Sequence, residues 1–163
     1  MKTLLVVFHS MTGATRQMAD ALAEGAALES QVRVRTLHAS LAHAIDVVDA
    51  AGYVFATPEN LAAISGLMKD FFDRCYYPVL ERINGRPYAT LISAGSDGRN
   101  AARQIERIAT GWRLRPVAEP LIVCTHAQTA EAILAPKTIG AADLGRCREL
   151  GATLAAGLAL GIF

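Results

Sequence analysis

The residues best suited to chemistry lie together near the start of the chain, at positions 9–16. This segment follows a short apolar run and places Ser10, Thr12 and Thr15 around Gly13. Hydroxyl groups and the free backbone N–H groups at a helix start donate hydrogen bonds to anions, and the helix dipole favours negative charge there. Glycine lets the backbone approach the anion closely. The segment predicts a site for a phosphate monoester, with simple helix capping by Ser10 and Thr12 as the alternative.

Other phosphate-binding loops do not match this chain. A Walker A loop requires Gly-Lys-Ser/Thr, and no such tripeptide occurs. The GxGxxG fingerprint is also missing, since only Gly95-x-x-Gly98 is present. Ser10 and Arg16 have the spacing of the C-x5-R loop of low-molecular-weight tyrosine phosphatases, but serine replaces the required thiolate. We therefore expect no phosphatase chemistry at this segment.

A receiver domain is excluded by the residues that follow strands one and three. Such a domain needs acidic side chains there to bind Mg²⁺, whereas this chain has His9-Ser10 and Thr57-Pro58. No metal site is predicted.

The elements that position these residues are predicted from hydropathy. Continuous apolar runs alternate with helical periodicity, which is typical of a parallel sheet covered by helices on both faces. We predict five strands, at 4–8, 32–37, 53–56, 88–93 and 121–124, with Thr57-Pro58 ending the third. We predict five helices, at about 14–28, 41–48, 64–75, 101–112 and 139–160. The strand at 32–37 alternates strictly and is expected at the sheet edge, with its arginines facing water.

Five strand–helix units in 163 residues favour an open, doubly wound α/β sheet in a single domain, residues 1–163. An eight-unit barrel needs about 250 residues. In a doubly wound sheet, ligands bind beyond the carboxyl ends of the strands. The loops after strands one, three and four are therefore the expected site.

Composition narrows the class of protein further. The chain is 52% hydrophobic and 19% charged, which excludes intrinsic disorder. A net charge of +1 gives no reason to expect a nucleic-acid partner. Three widely spaced cysteines fit a reducing compartment, so we expect a cytoplasmic protein. The apolar stretches at 4–8 and 150–163 are too short to span a membrane.

Two segments resemble a known family. Ser10-x-Thr12-Gly13-x-Thr15 resembles the FMN phosphate loop of flavodoxin-like proteins, T/S-x-T-G-x-T. The segment at 56–74 is similar to NAD(P)H-dependent FMN reductases, in which a proline-containing loop leads through Ser-Gly-x-x-Lys to a Phe-x-Asp-Arg helix. With the turn at 93–95, the resemblance covers about the first 110 residues.

The resemblance implies a fold, a cofactor and a binding site. The fold is a three-layer, flavodoxin-like sheet with strand order 2-1-3-4-5, and the cofactor is FMN. The implied contacts to the FMN phosphate are Ser10, Met11, Thr12, Gly13, Ala14 and Thr15. The isoalloxazine would be bordered by Pro58, Glu59, Asn60 and Leu61, and its pyrimidine end by Ser93, Ala94, Gly95, Ser96 and Gly98.

Simpler interpretations of the same loops stay open. Residues 58–60 can be a turn before a helix, and Ser96 or Asp97 can be the N-cap of the fourth helix. His126, just past the fifth strand, is more typical of an ordinary loop residue than of a ligand contact.

The resemblance also implies a function. We expect an FMN oxidoreductase that moves hydride or electrons from NAD(P)H to a small acceptor such as a quinone or free flavin. No side chain is expected to act as catalytic acid or base, because the flavin supplies the chemistry. Neither flavin loop contains an aromatic residue, so one ring face should be open, and the apolar carboxyl-terminal helix suggests a homodimer. The alternatives are an electron carrier without substrate turnover and a binding module.

Overall fold

The computed structural model describes residues 1–163 and is built around a seven-stranded sheet. The strands are β1 (Lys2–Phe8), β2 (Val32–His38), β3 (Gly52–Asn60), β4 (Ala63–Ile64), β5 (Pro87–Ala94), β6 (Arg115–Pro116) and β7 (Leu121–Cys124). The helices are α1 (Ala14–Ala26), α2 (Ala44–Asp49), α3 (Gly66–Val79), α4 (Arg99–Gly111), α5 (Ala130–Leu134) and α6 (Ala141–Leu160).

The five long strands are parallel and follow the order β2-β1-β3-β5-β7. This is the order 2-1-3-4-5 expected from the resemblance. β6 pairs with the first residues of β5, and β4 forms a short antiparallel hairpin with β3. β2 lies at the edge of the sheet, as its alternating pattern predicts, with Arg33 exposed.

The prediction that Thr57-Pro58 ends the third strand is wrong. β3 runs on to Asn60, and Thr57 and Pro58 pair with Ile92 and Ser93 of β5. The carbonyl of Ala56 accepts a hydrogen bond from the N–H of His9, so strand alternation turns the Pro58 nitrogen to that same side, past the end of β1. The missing N–H of proline therefore costs no ladder hydrogen bond.

Three short elements are missing from the predicted set of five strands and five helices. β4 and β6 have 2 residues each and α5 has 5, too few for any hydrophobic period to show.

The sheet separates two hydrophobic cores. One lies under α3 and α4 and contains an aromatic cluster around Phe55, with Phe72 and Trp112 at centroid distances of 5.0 and 6.1 Å. The other lies under α1 and α6. These two helices touch through glycine, because a Cβ on Gly25 or Gly151 would come within about 2 Å of the facing backbone, at 1.9 and 2.0 Å. None of the helices combines the length and hydropathy that a membrane span requires.

Candidate functional site

The largest concave site at the carboxyl ends of the strands is a cavity of about 650 Å³, called here the main cavity. Most of the residues predicted from the sequence line it: Ser10, Met11, Thr12, Ala14, Thr15, Pro58, Glu59, Asn60, Leu61, Ser93, Gly95 and Ser96. Ala94 lines a smaller adjoining pocket of about 80 Å³. The remaining wall of the main cavity was not predicted and consists of Ala127, Gln128, Ile133 and Leu134.

Two predicted residues, Gly13 and Gly98, do not line either space. Each is the N-cap residue of a helix, α1 and α4 respectively, and each has a positive φ, 97° and 84°. A Cβ at Gly98 would also lie 2.7 Å from Ile122. These glycines set the backbone path into the two helices rather than forming the cavity surface.

The phosphate loop, defined as residues 10–15, leads into a helix start whose backbone N–H groups have no hydrogen-bond acceptor within the protein. Neither Ser10 nor Thr12 caps α1, so the simple capping interpretation is wrong. The Ser10 hydroxyl instead accepts from the N–H of Gly13 at 3.2 Å. The backbone N–H groups of Ala14, Thr15 and Arg16 have no acceptor in the chain. The first turn of α1 therefore offers several donors to an anion.

Thr15 faces the core side of the loop. Its hydroxyl is buried and lies 2.7 Å from the hydroxyl of Ser93, which joins α1 to β5. Each hydroxyl has one proton, and only one proton is used between them. The pair keeps one donor, so Thr15 and Ser93 act as a unit.

Glu59 accepts hydrogen bonds from the start of α4, a contact that the sequence does not predict. Its two carboxylate oxygens accept from the N–H groups of Gly98 at 2.9 Å and Ala101 at 3.1 Å. Glu59 therefore caps α4 from the end of β3, and a carboxylate at a helix N-terminus is favoured by the dipole. Neither Ser96 nor Asp97 is the N-cap residue, as the sequence had suggested, because that position is Gly98.

Asp97 pairs with a neighbour instead of capping the helix. Its carboxylate lies 2.6 Å from Nε of Arg99, and these hydrogen bonds hold the pKa of Asp97 below its ordinary value.

The β3–β4 hairpin at the cavity mouth is strained. Leu61 and Ala62 form its two-residue turn with φ of 51° and 61°. Two positive φ values define a type I′ turn, which favours Asn-Gly, and each costs a residue with a Cβ about 1 kcal/mol. The Leu61 side chain is fully exposed, and Nδ2 of Asn60 lies 3.1 Å from Sδ of Met11 across the cavity. The turn therefore places the apolar side chain of Leu61 at the mouth of the main cavity.

Lys137 is the main site residue that sequence reasoning missed. Its Nζ donates to the carbonyls of Ile133 at 2.8 Å and Ala135 at 2.6 Å and lies 3.4 Å from the hydroxyl of Thr12. It is half-buried and forms no ion pair with any carboxylate. An unneutralised cation beside unused N–H donors is suited to a bound anion.

The segment that carries Lys137, residues 133–139, is called here the strap. Gln17 fixes it to the phosphate loop: Nε2 donates to the carbonyls of Gly13 at 2.9 Å and Lys137 at 2.8 Å, and Oε1 accepts from the N–H of Ile139 at 3.0 Å. The N–H of Lys137 also donates to the carbonyl of Thr12 at 2.8 Å. Strap and loop therefore form one surface.

The remaining candidates stand apart from the cavity. His126 is exposed and does not line it, as expected for an ordinary loop residue. Burial raises the pKa of the Cys75 and Cys147 thiols to about 11, so neither is a thiolate near neutral pH. Nδ1 of His9 is buried without a hydrogen-bond partner, and burial, with the nearby His38, lowers its pKa.

Comparison with solved structures identifies the class of fold. A flavodoxin from the domain Archaea superposes with a TM-score of 0.77 over 96% of this chain and 98% of that one, at 18% identity. The strand order, the phosphate loop after β1 and the cavity at the carboxyl edge define this chain as a protein of the flavodoxin fold.

Comparison of sequences identifies the family. The sequence model of the NADPH-dependent FMN reductase family matches residues 40–129, which is more than half of the chain, and the protein belongs to that family. The chain is 34% identical over 98 residues to a flavodoxin of Aquifex aeolicus (60% of this chain, 53% of that protein). It is 35% identical over 94 residues to an NAD(P)H dehydrogenase (quinone) of Acidithiobacillus ferrooxidans (45% and 47%). The chain thus spans about half the length of these curated relatives.

Family membership indicates FMN as the cofactor and a redox function. The residues present fit that group. For a dianionic monoester, the start of α1 provides unused backbone donors, the phosphate loop provides the Thr12 hydroxyl, and the strap adds the charge of Lys137. The cavity volume of about 650 Å³ is within the range of small-molecule sites. Its lining contains no aromatic side chain, so nothing covers a bound ring by stacking.

Proposed function

We propose that this protein is an NAD(P)H-dependent FMN oxidoreductase that delivers electrons to a small acceptor such as a quinone or free flavin. The observation that carries the proposal is the pairing of an unneutralised lysine, in the small pocket that adjoins the main cavity, with the unused donors of the phosphate loop. The main cavity itself has no aromatic side chain in its lining. When bound, FMN takes up hydride or electrons from a nicotinamide and passes them on.

The chain's own residues bind and orient the cofactor. Thr12, the N–H groups of residues 14–16 and Lys137 would hold the phosphate. Pro58, Glu59, Asn60 and Leu61 would border the ring system, and Ser93, Ala94, Gly95 and Ser96 its pyrimidine end. Glu59 would border the ring without using its carboxylate for it, because both carboxylate oxygens already accept hydrogen bonds at the start of α4.

The exposed side chains at the cavity mouth would exclude water from part of the site. Leu61, Ile133 and Leu134 are exposed apolar residues that line the main cavity. No titratable side chain is needed as an acid or base, and the cysteines with raised pKa values lie elsewhere.

An electron carrier without its own turnover is the second candidate, because a flavodoxin is among the relatives. The charge of the chain argues against it, since +1 gives little electrostatic steering toward a redox partner.

Stopped-flow mixing of the FMN-loaded protein with NADH or NADPH tests the proposal. Loss of flavin absorbance with either nucleotide, at a rate that supports turnover with a quinone, is expected. Absence of bleaching with both would favour the carrier. A protein that neither purifies with nor takes up FMN would refute both.

The homodimer expected from the sequence is also a proposal. The small-residue face of α6 packs on α1 within the same chain, so that face is not free to bind a second copy. The exposed apolar surface that supports a homodimer is instead the rim of the main cavity, formed by Leu61, Ile133 and Leu134. Sedimentation of the FMN-loaded protein tests this, and a fully active monomer would overturn it.

A further inference from the structure

A second concave surface, called here the basic groove, lies beside the main cavity and shares no lining residue with it. The basic groove has a volume of about 560 Å³ and runs between the β3–β4 hairpin, the start of α3 and the exposed face of α4. Its lining residues are Ala63, Ile64, Lys69, Asn100, Arg103, Gln104, Arg107 and Ile108.

Two arginines give the groove a positive charge that the chain does not neutralise. Arg103 and Arg107 are one helical turn apart on α4, both exposed, and neither guanidinium forms an ion pair or an intrachain hydrogen bond. Lys69 differs, since its Nζ pairs with Asp73 at 2.7 Å. Like charges at this spacing repel each other, so an anion placed between the two arginines is favoured.

The basic groove has an apolar floor, and hydrogen bonds between the β3–β4 hairpin and α4 hold its two sides together. Ala63, Ile64 and Ile108 provide the apolar surface. Oε1 of Gln104 accepts from the N–H of Ile64 at 2.9 Å, and Nδ2 of Asn100 donates to the carbonyl of Ala62. An apolar floor with a cationic rim is complementary to a nucleobase that carries a phosphate.

The position of the groove connects it to the main cavity. Leu61 lines the cavity and Ala63 lines the groove, and two residues of extended chain span at most about 7 Å. Two nucleotide units joined by a diphosphate can therefore occupy both surfaces around one hairpin.

We propose that the basic groove binds the adenosine 2′-phosphate end of NADPH. Arg103 and Arg107 contact the 2′-phosphate, and the adenine lies on the apolar floor. The groove thereby selects NADPH over NADH. This inference rests on the proposed function, in which a nicotinamide dinucleotide is the electron donor.

Binding of nucleotide fragments to the FMN-loaded protein tests the site without turnover. In calorimetric titrations, adenosine 2′,5′-bisphosphate should bind at least about tenfold more tightly than adenosine 5′-monophosphate, because two charge-assisted contacts are added. R103Q/R107Q should abolish that difference. R33Q/R115Q removes two exposed, unpaired arginines elsewhere and should preserve it, although the net charge changes equally.

Three binding results would overturn the inference. The first is no preference for the 2′,5′-bisphosphate. The second is equal binding of adenosine 3′,5′-bisphosphate, which would mean that the groove does not select the 2′ position. The third is equal loss in the two double variants, which would mean a general charge effect.

Steady-state kinetics separate this inference from the proposed function. R103Q/R107Q should raise KM for NADPH about tenfold or more and leave kcat and KM for NADH unchanged. Unchanged KM for NADPH in an active enzyme would refute the groove and leave the function standing. If neither nucleotide reduces the flavin, the proposed donor is wrong and the groove assignment falls with it.

Discussion

Replacing Lys137 by methionine removes a cation without a carboxylate partner beside the phosphate loop while keeping most of the apolar stem; the neighbouring Arg16 is paired with Asp20. Its Nζ lies 3.4 Å from the Thr12 hydroxyl, so a phosphate bound to that hydroxyl is within reach of the charge. Two unit charges about 4 Å apart interact by roughly 4 kcal/mol at the effective dielectric constant near a protein surface. Lys137 is only half-buried, and screening reduces the net value to about 1.5–3 kcal/mol, the range of a charge-assisted hydrogen bond.

The expected result of K137M is therefore weaker FMN binding, by about 10- to 150-fold in Kd. Riboflavin lacks the phosphate, so its Kd should stay the same in wild type and variant. Both constants are measured by titrating flavin fluorescence against the apoprotein at fixed salt, because screening weakens the contact.

K69M is the matched control, since it removes an exposed lysine that pairs with Asp73 and lines the basic groove, away from the phosphate loop. It should leave both flavin constants unchanged. Equal weakening of FMN and riboflavin by K137M would refute the electrostatic reasoning, because it would show that Lys137 acts only by holding the strap in place.

Three further predictions concern stability and are measured by urea unfolding. E59A should lower the free energy of unfolding by about 1 kcal/mol, because α4 loses its cap; an unchanged value would contradict that role. L61N/A62G should raise it by about 1 kcal/mol, since Asn-Gly accepts both positive φ values and relieves about 2 kcal/mol of strain, of which the freedom of glycine in the unfolded chain offsets about half; a loss would mean the turn is unstrained. The pKa of His9 is lowered from 6.5, so the unfolded chain takes up its proton first as pH falls, and stability should decrease below about pH 6.5 until the lowered pKa is passed. H9N should reduce that pH slope, and an unchanged slope would contradict its assignment to His9.

Much of the fold follows from patterns that the sequence displays locally. The continuous apolar runs of the central strands and the stripe that contains Phe71 and Cys75 on α3 predict buried strands and an amphipathic helix, and both are present. The sequence predicts too short a third strand, because proline normally interrupts strands. Its tolerance at Pro58 depends on where β1 ends, which is tertiary information.

The residues of the site also differ in whether local sequence reveals them. The phosphate loop is contiguous, so its hydroxyls and glycine are recognisable in one stretch of sequence. Lys137 is 125 residues from Thr12, and nothing in its own neighbourhood marks it as a partner. The position of Glu59 in its loop predicts a flavin neighbour, whereas its hydrogen bonds at the start of α4 join residues 39 and 42 positions apart in the chain.

The strap has a consequence for the synthesis of the protein. The two halves of the phosphate-binding surface lie far apart in the chain, and Gln17 can make its contacts to Lys137 and Ile139 only after those residues have left the ribosome. A growing chain that has completed β5 has the loop but lacks the lysine. Tight cofactor capture should therefore come late, after the last strand of the sheet has been synthesised, and chains stalled earlier should be released without flavin.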